Sequence, residues 1–136
     1  MKKLFSTRYS AGSFNIAMLI LRLGLGILLV NHGYDKLTHI DKYEPMMINF
    51  LGLGQKTSLY LVIFAEFFCS IFLILGLLTR LITIPLIILM CVIVFKIFKG
   101  NIYDEHAEPA ALYLAGFIAL LFTGPGKISV DGLIGK

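Results

Sequence analysis

The chain has 136 residues, of which 58% are hydrophobic and 15% are charged, and its mean hydropathy is +0.89. These values exclude an ordinary soluble domain, in which about half of the residues are apolar and about a quarter are charged. The formal net charge of +4 is spread thinly along the chain, which excludes a basic surface for nucleic acid. The sequence therefore predicts a polytopic membrane protein, partnered by the lipid bilayer, with about four spans in a single domain over residues 1–136.

The N-terminal segment carries Lys2, Lys3 and Arg8 before the first apolar run. A basic segment before an apolar run is also typical of a signal peptide. This run is long, contains Arg22 and ends in NHGYDK without an A-x-A-like cleavage site, so we expect no cleavage. By the positive-inside rule, the N-terminus is expected in the cytoplasm.

The first span is predicted over residues 14–34 and carries Arg22 at membrane depth. At about 100° of rotation per residue, polar and small residues share one helical face, and leucine and isoleucine cover the others. The members of this polar face are Asn15, Arg22, Gly26, Gly33 and Lys36. Because an intramembrane charge costs about 2.5 kcal/mol or more unless it is paired or hydrated, we expect this face to point into a helix bundle.

A short interfacial helix is predicted in the loop after the first span. Pro45 can start a helix, and the apolar residues that follow it, among them Met46 and Phe50, share one face. Glycines at positions 52 and 54 are expected to end this helix.

The remaining spans are predicted over residues 58–78, 81–98 and 107–123. The connection between the second and third spans is too short for anything but an antiparallel hairpin. Pro109 suits the first turn of the fourth span, which is short for a membrane crossing. The fold class predicted is an all-α, antiparallel four-helix transmembrane bundle in the cytoplasmic (inner) membrane, with both termini in the cytoplasm.

The buried charges Arg22 and Glu66 are predicted to pair. Counting 1.5 Å per residue from the cytoplasmic ends of their spans gives them similar depths. Ser70 falls one turn from Glu66 on the same face. Two interpretations stay open: a structural ion pair that sets helix register, or the polar bottom of a ligand cavity that holds a quinone carbonyl or relays a proton.

A polar cluster is predicted at the outer mouth of the bundle, where the end of the first span meets the start of the fourth. Its members are His32, Lys36, Glu105, His106 and Glu108. No spacing among them matches a recognised metal motif. We therefore expect no metal site, and expect these residues to surround a headgroup or a quinone ring.

Motifs along nearly the whole chain resemble the DoxX family of small four-helix membrane proteins. They are LRLGLGILLVNHGYDKL, the glutamate-bearing second span, the turn GLLTR and the C-terminal GPGKISVDGLI, in that order. By this resemblance the residues at the family's typical positions are Arg22, Gly33, Lys36, Glu66, Gly124, Pro125, Gly126, Ser129 and Asp131. Gly33 and the C-terminal group are expected to be structural, with Ser129 or Asp131 capping a short final helix.

The resemblance implies a redox setting, because the family includes a subunit associated with an archaeal terminal quinol oxidase and components of thiosulfate:quinone oxidoreductase. The chain itself has no CxxC motif, no haem ligand pair across facing spans and no nucleotide loop. Cys69 and Cys91 are expected to be inert, small apolar side chains. Any redox role therefore needs a quinone or a partner subunit.

We therefore expect a membrane subunit of a quinone-linked oxidoreductase or redox-stress complex, which binds a quinone-like or lipidic ligand within the bundle. It is at most one subunit of an enzyme, with no covalently bound cofactor and with quinone as the candidate ligand. Two alternatives stay open: a non-enzymatic scaffold that docks a redox enzyme, and a small transporter or lipid-binding protein. A redox partner protein and a homo-oligomer are compatible with each of these.

Overall fold

The computed structural model describes residues 2–135, and this part of the chain is all helical, without strands. Met1 and Lys136, the ends of the predicted domain, lie outside the described residues, as do the side chains of Lys2 and Lys3 that the predicted orientation uses. In chain order the helices are α1 (Ala11–Thr38), α2 (Ile40–Tyr43), α3 (Gln55–Leu75), α4 (Thr79–Ile97), α5 (Ala107–Thr123) and α6 (Val130–Leu133).

Helices α1, α3 and α4 are each long and apolar enough to cross a membrane, and α5 is a shorter apolar helix. Apolar side chains such as Ile20, Leu112 and Phe122 are exposed on their outer faces. A soluble monomer rarely exposes so many large apolar side chains, so these faces suit lipid. The prediction of a membrane protein built from apolar helices is confirmed.

The ends of the first two long helices differ from the predicted spans. Helix α1 begins at Ala11, because the Ser10 side chain accepts a hydrogen bond from the Ser13 N–H at 3.1 Å and caps the first turn. Helix α3 ends at Leu75, because Gly76 adopts a left-handed conformation with φ 71°. The predicted second span, which runs to residue 78, is therefore too long at that end.

Two stretches of the long helices are π-helical, over Phe64–Cys69 in α3 and Val92–Ile97 in α4. A π-helical turn holds one more residue than an α-helical turn and redirects the side chains around it, and such turns are frequent at functional sites. Glu66 lies within the first of these stretches. The widened turn therefore decides which way the carboxylate points.

Helices α1 and α3 approach most closely at two glycines of α1. A Cβ atom at Gly33 would lie 2.6 Å from the Phe67 nitrogen, and one at Gly26 would lie 2.6 Å from the Ile74 side chain. Close approach through small residues is typical of packing between membrane helices. Because Gly26 meets a later part of α3 than Gly33 does, the two helices run in opposite directions.

The polar face of α1 points inward as predicted, since the buried residues of α1 are Arg22, Gly26, Leu29 and Gly33. Leu29 belongs to an apolar core shared with α3, α4 and α5. Fully buried side chains of that core include Leu73, Leu86 and Phe117. The core thus surrounds the buried charge of α1 with close-packed apolar groups.

The loop between α1 and α3 does not form the predicted helix that starts at Pro45. Two short 3-10 turns, Glu44–Met46 and Phe50–Gly52, take its place, and Leu51 is left-handed with φ 54°. The Gln55 side chain donates hydrogen bonds to backbone carbonyls in the first turn and just after it, which folds the loop back onto the start of α3. This long-range contact replaces a continuous amphipathic helix.

Candidate functional site

A buried ion pair joins α1 to α3. Lys36 Nζ lies 2.7 Å from one Glu66 carboxylate oxygen and 3.1 Å from the other, so the ammonium group donates to both. The side chains are 19% and 5% exposed. Lys36 comes from the last turn of α1, and Glu66 comes from the π-helical stretch near the middle of α3. A charged pair is therefore held inside a mostly apolar helix assembly.

The predicted pairing of Arg22 with Glu66 is wrong. The Arg22 guanidinium donates to the backbone carbonyls of Leu73 and Ile74, at 3.4 and 3.3 Å, and to the carbonyl of Ile128. Carbonyls in the last turn of a helix have no partners within the helix, and a cation there is favourable to the helix dipole. Arg22 thus caps the end of α3 and binds the C-terminal tail.

The pairing was mispredicted because the two helices do not end at the same level. The last turn of α3 is level with Arg22, and α1 continues beyond that level to Ala11. Glu66 is level with Gly33 instead. Gly33 comes eleven residues after Arg22 in α1, which separates the two levels by about 16 Å.

Asp131 fastens the C-terminal tail to the start of α4. Its carboxylate accepts hydrogen bonds from the backbone N–H groups of Leu78 at 2.9 Å and Thr79 at 3.0 Å. Its own N–H donates to the Gly76 carbonyl at 3.0 Å. The expected cap on the final helix is Ser129, whose side chain accepts from the Gly132 N–H. The prediction of a capped final helix is therefore confirmed for Ser129, and Asp131 caps a different helix.

The GPG turn before this tail depends on its glycines. Gly124 and Gly126 have φ 76° and 78°, values that favour glycine, and Pro125 lies between them. After this turn the Lys127 N–H donates to the Asn15 side chain at 2.9 Å, which ties the tail to α1. These contacts support a structural role for the C-terminal motif.

A tyrosine of α2 lies over the ion pair. Lys36 Nζ is 5.5 Å from the centre of the Tyr43 ring, within the range of a cation–π contact. The Tyr43 hydroxyl donates to the Asp35 carboxylate, and this hydrogen bond raises the pKa of Tyr43. The α1–α2 corner therefore covers the lysine end of the pair.

Three further polar residues, His32, Ser70 and Tyr113, lie in the region around Glu66. His32 of α1 and Tyr113 of α5 lie within electrostatic range of its carboxylate. Ser70 is fully buried, and its hydroxyl has no hydrogen-bond partner among residues 2–135. The Ser70 carbonyl lies beside Gly26, seven residues before Gly33 in α1 and therefore about 10 Å from the level of the ion pair. Ser70 is thus near Glu66 in the chain without bonding to it.

The predicted outer-mouth cluster is not joined by direct contacts. Glu105, His106 and Glu108 are exposed, and the described residues show no hydrogen bond or ion pair between them and His32 or Lys36. His106 lies 3.5 Å from the neighbouring Glu105 carboxylate. Within residues 2–135 no group of three or more His, Cys, Asp or Glu side chains is placed to hold a metal ion.

An open groove lies on the exposed side of α1, next to Phe67 of α3. Its volume is about 580 Å³, and we name it the lateral groove. Its lining residues are Ile27, Leu28, Val30, Asn31, Tyr34 and Phe67. The Tyr34 and Phe67 rings lie with their centres 6.3 Å apart. Phe67 directly follows Glu66 in the π-helical stretch, so the groove has one lining residue that is next to the ion pair in the chain.

Sequence reasoning did not identify the lateral groove. Its aliphatic residues lie on the lipid-facing side of α1, where they are indistinguishable from ordinary lipid-contacting residues. Asn31 was the only signal in the sequence, as an amide set within an apolar run. Neither the lateral groove nor the larger opening described below is lined by Arg22, Glu66 or Ser70.

Apolar helices around a buried ion pair define the class of this chain as an integral, all-helical membrane protein. The model of the DoxX family matches residues 17–99, and the chain belongs to that family, which is often linked to redox or stress. A protein of Mycobacterium tuberculosis, described as the uncharacterized membrane protein Rv3486, is 28% identical over 134 residues. The alignment covers 88% of this chain and 82% of that protein. No solved structure shows significant similarity to the chain.

Proposed function

We propose that this chain is the membrane subunit of a quinone-linked oxidoreductase or redox-stress complex, and that a quinone-like lipid binds beside the Lys36–Glu66 pair. The observation that carries the proposal is this ion pair, whose Glu66 lies in a π-helical stretch directly before Phe67, a lining residue of the lateral groove. Family membership supports the redox setting.

The ion pair is a costly way to hold two helices together. Replacing a buried ion pair by apolar residues of similar volume is often neutral or stabilising, so such a pair is weak evidence for a stability role. Ionisable residues inside membrane segments usually belong to sites for ligands or protons. The Lys36–Glu66 pair therefore favours a functional explanation over a purely structural one.

The chemistry of the pair suits a quinone head. Lys36 can donate a hydrogen bond to a carbonyl oxygen, and Glu66 can accept or release a proton at the same place. Asn31 and Tyr34 add two polar groups on the groove side, and the aliphatic residues of the groove suit an isoprenoid tail. A bound quinone would supply the redox chemistry, with its two electrons coming from a partner subunit or donor and its two protons passing through the pair.

The membrane topology is part of the proposal. We place the chain in the cytoplasmic membrane with four antiparallel crossings and both termini in the cytoplasm. Helix α5 is about 26 Å long by its 17 residues, so it completes the fourth crossing with the help of the polar segment before it. The loop of residues 39–54 is placed at the outer surface, where exposed Met46 and Leu51 meet the lipid interface.

The proposal is tested by titrating a short-chain ubiquinone analogue into the detergent-purified protein and measuring the heat of binding. Wild type and the control variant Glu108→Gln are expected to bind, because Glu108 is exposed and unpaired with Lys36. Glu66→Gln is expected to bind at least about tenfold more weakly. Equal affinity of Glu66→Gln and wild type would show that the ion pair is not part of the quinone site. If wild type did not bind the analogue, the alternative of a non-enzymatic scaffold would be favoured.

A further inference from the structure

A second opening lies at the end of the assembly where α1 begins, α3 ends and the C-terminal tail packs. Its volume is about 910 Å³, and we name it the terminal cleft. The lining residues that matter here are Tyr9, Thr79, Leu81, Arg80, Lys127 and Asp131. We propose that the terminal cleft binds the phosphate-bearing headgroup of an anionic phospholipid.

The charges of the cleft favour an anion. Arg80 and Lys127 line it, and neither is paired with a carboxylate among residues 2–135. Asp131 is the single acidic residue of the lining, and its two oxygens are taken by the N–H groups that begin α4. Asp131 also lies near the buried charge of Arg22. The cleft therefore presents two cations that no carboxylate within residues 2–135 pairs with, and its one carboxylate is engaged by two backbone N–H groups.

Most hydrogen-bond donors of the Arg80 and Lys127 side chains are not engaged by residues 2–135. The one side-chain hydrogen bond of Arg80 is a long contact of 3.5 Å to the Phe122 carbonyl, which leaves most of the guanidinium free. Lys127 is exposed, and only its backbone N–H is engaged, by Asn15. A guanidinium matches two phosphate oxygens at once, and an ammonium adds a point charge.

A buried hydroxyl in the lining of the terminal cleft also supports a ligand there, independently of the two cations. Thr79 lines the cleft, its side chain is fully buried, and its hydroxyl has no hydrogen-bond partner among the described residues. Buried polar side-chain atoms are nearly always hydrogen-bonded, so an unpaired hydroxyl at the wall of a cleft points to a ligand oxygen. Thr79, Arg80 and Lys127 thus line the same cleft, and the side chain of each carries a donor that residues 2–135 leave wholly or largely unused.

The surroundings favour a lipid over a soluble phosphate. The cleft lies where α3 ends and α4 begins, which is where these apolar helices meet the membrane surface. Leu81 and Phe122 are exposed beside it, and the Tyr9 and Phe14 rings are tilted by 38° with their centres 6.0 Å apart. Aromatic and basic residues at this level are typical of contacts with lipid headgroups, and the exposed apolar side chains suit acyl chains.

Native mass spectrometry of the detergent-purified protein tests this site. Phosphatidylglycerol is titrated in parallel with phosphatidylcholine into wild type and into the double variant Arg80→Gln/Lys127→Gln. The matched control is Lys42→Gln/Lys56→Gln, which removes two exposed cations near the opposite end. We expect wild type and control to prefer phosphatidylglycerol, and the Arg80 and Lys127 variant to bind it about 10- to 30-fold more weakly.

The same experiment includes a third variant, Thr79→Val, and a soluble phosphate competitor. Thr79→Val keeps the shape and both cations, and it is expected to weaken phosphatidylglycerol binding severalfold; if the double variant fails to fold, this variant decides. Glycerol 3-phosphate is added as a competitor at the same concentration as the lipid and is expected to displace none. Displacement by it, equal binding of the two lipids, or wild-type affinity in both variants would overturn the proposal. Quinone measured in the same samples tests the Lys36–Glu66 site separately.

Discussion

Arg22 and Asp131 bracket the turn between α3 and α4 from its two sides. Arg22 donates to the carbonyls that end α3, and Asp131 accepts from the N–H groups that begin α4. Each charge has the sign that favours its helix end, positive at the C-terminus and negative at the N-terminus. The two residues are far apart in the chain, and together they join the first helix, the central turn and the tail.

Asp131→Ala is expected to destabilise the protein by about 2–4 kcal/mol, because two backbone N–H groups lose their acceptor and Arg22 loses a nearby opposite charge. Asp41→Ala, at an exposed position of α2, serves as the control and is expected to change stability by less than about 0.5 kcal/mol. Unfolding in a denaturing detergent, followed by circular dichroism, measures both. Equal stability of Asp131→Ala and wild type would refute the capping role.

Arg22→Lys separates the structural role of Arg22 from the ligand site. One ammonium cannot reach three backbone carbonyls as the guanidinium does, so stability is expected to fall by about 1–3 kcal/mol. Because Glu66 lies at another level, quinone binding by the folded variant is expected to stay within about twofold of wild type. If Arg22→Lys lost quinone binding but kept the stability of wild type, Arg22 would have to be a ligand-binding residue, contrary to this account.

Gly33→Ala and Gly24→Ala form a matched pair on the same helix. A Cβ at Gly33 would lie 2.6 Å from the Phe67 nitrogen and 2.7 Å from the Glu66 carbonyl carbon, whereas one at Gly24 would meet nothing within 4 Å. Gly33→Ala is expected to cost about 1–3 kcal/mol by forcing α1 and α3 apart, and Gly24→Ala to be neutral or stabilising by up to about 1 kcal/mol. Similar unfolding curves for the two variants would contradict the close approach.

Replacing the whole ion pair distinguishes its two interpretations. Lys36→Met alone leaves an unpaired buried carboxylate and is expected to cost about 3–5 kcal/mol, whereas Lys36→Met/Glu66→Leu is expected to be near wild type in stability. The same double variant is expected to lose quinone binding. A double variant that unfolds as readily as the single variant would instead support a pair whose role is to set helix register.

Local patterns in the sequence were sufficient for part of this structure. Helical periodicity predicted the buried face of α1, on which Arg22 and Gly33 lie, because burial of one helix face depends on spacing alone. A cap on the final helix by Ser129 or Asp131 was predicted for the same reason, since a capping side chain bonds to a backbone N–H a few residues away, and Ser129 provides it. The partner of Glu66 could not be predicted in this way, because it depends on how two helices are positioned relative to each other.

Lys36 pairs with Glu66 because α1 and α3 are offset along their axes. That offset follows from Gly76, which ends α3 early, and from the glycines that set the contact between the helices. The π-helical stretch that orients Glu66 has no recognisable sequence signal, and the contact of Asp131 with α4 joins residues too distant for any local pattern. The missed ion pair and the missed cap of α4 therefore both depend on packing between segments.

The central claim, that the Lys36–Glu66 pair belongs to a quinone site, is tested most directly on protein gently purified from its native membrane. Small molecules extracted from wild type, Glu66→Gln and Arg22→Lys are identified and quantified by mass spectrometry. We predict a stoichiometric quinone in wild type and Arg22→Lys, and its loss in folded Glu66→Gln. Bulk phospholipid alone in all three samples, or the same quinone content in all three, would contradict the claim.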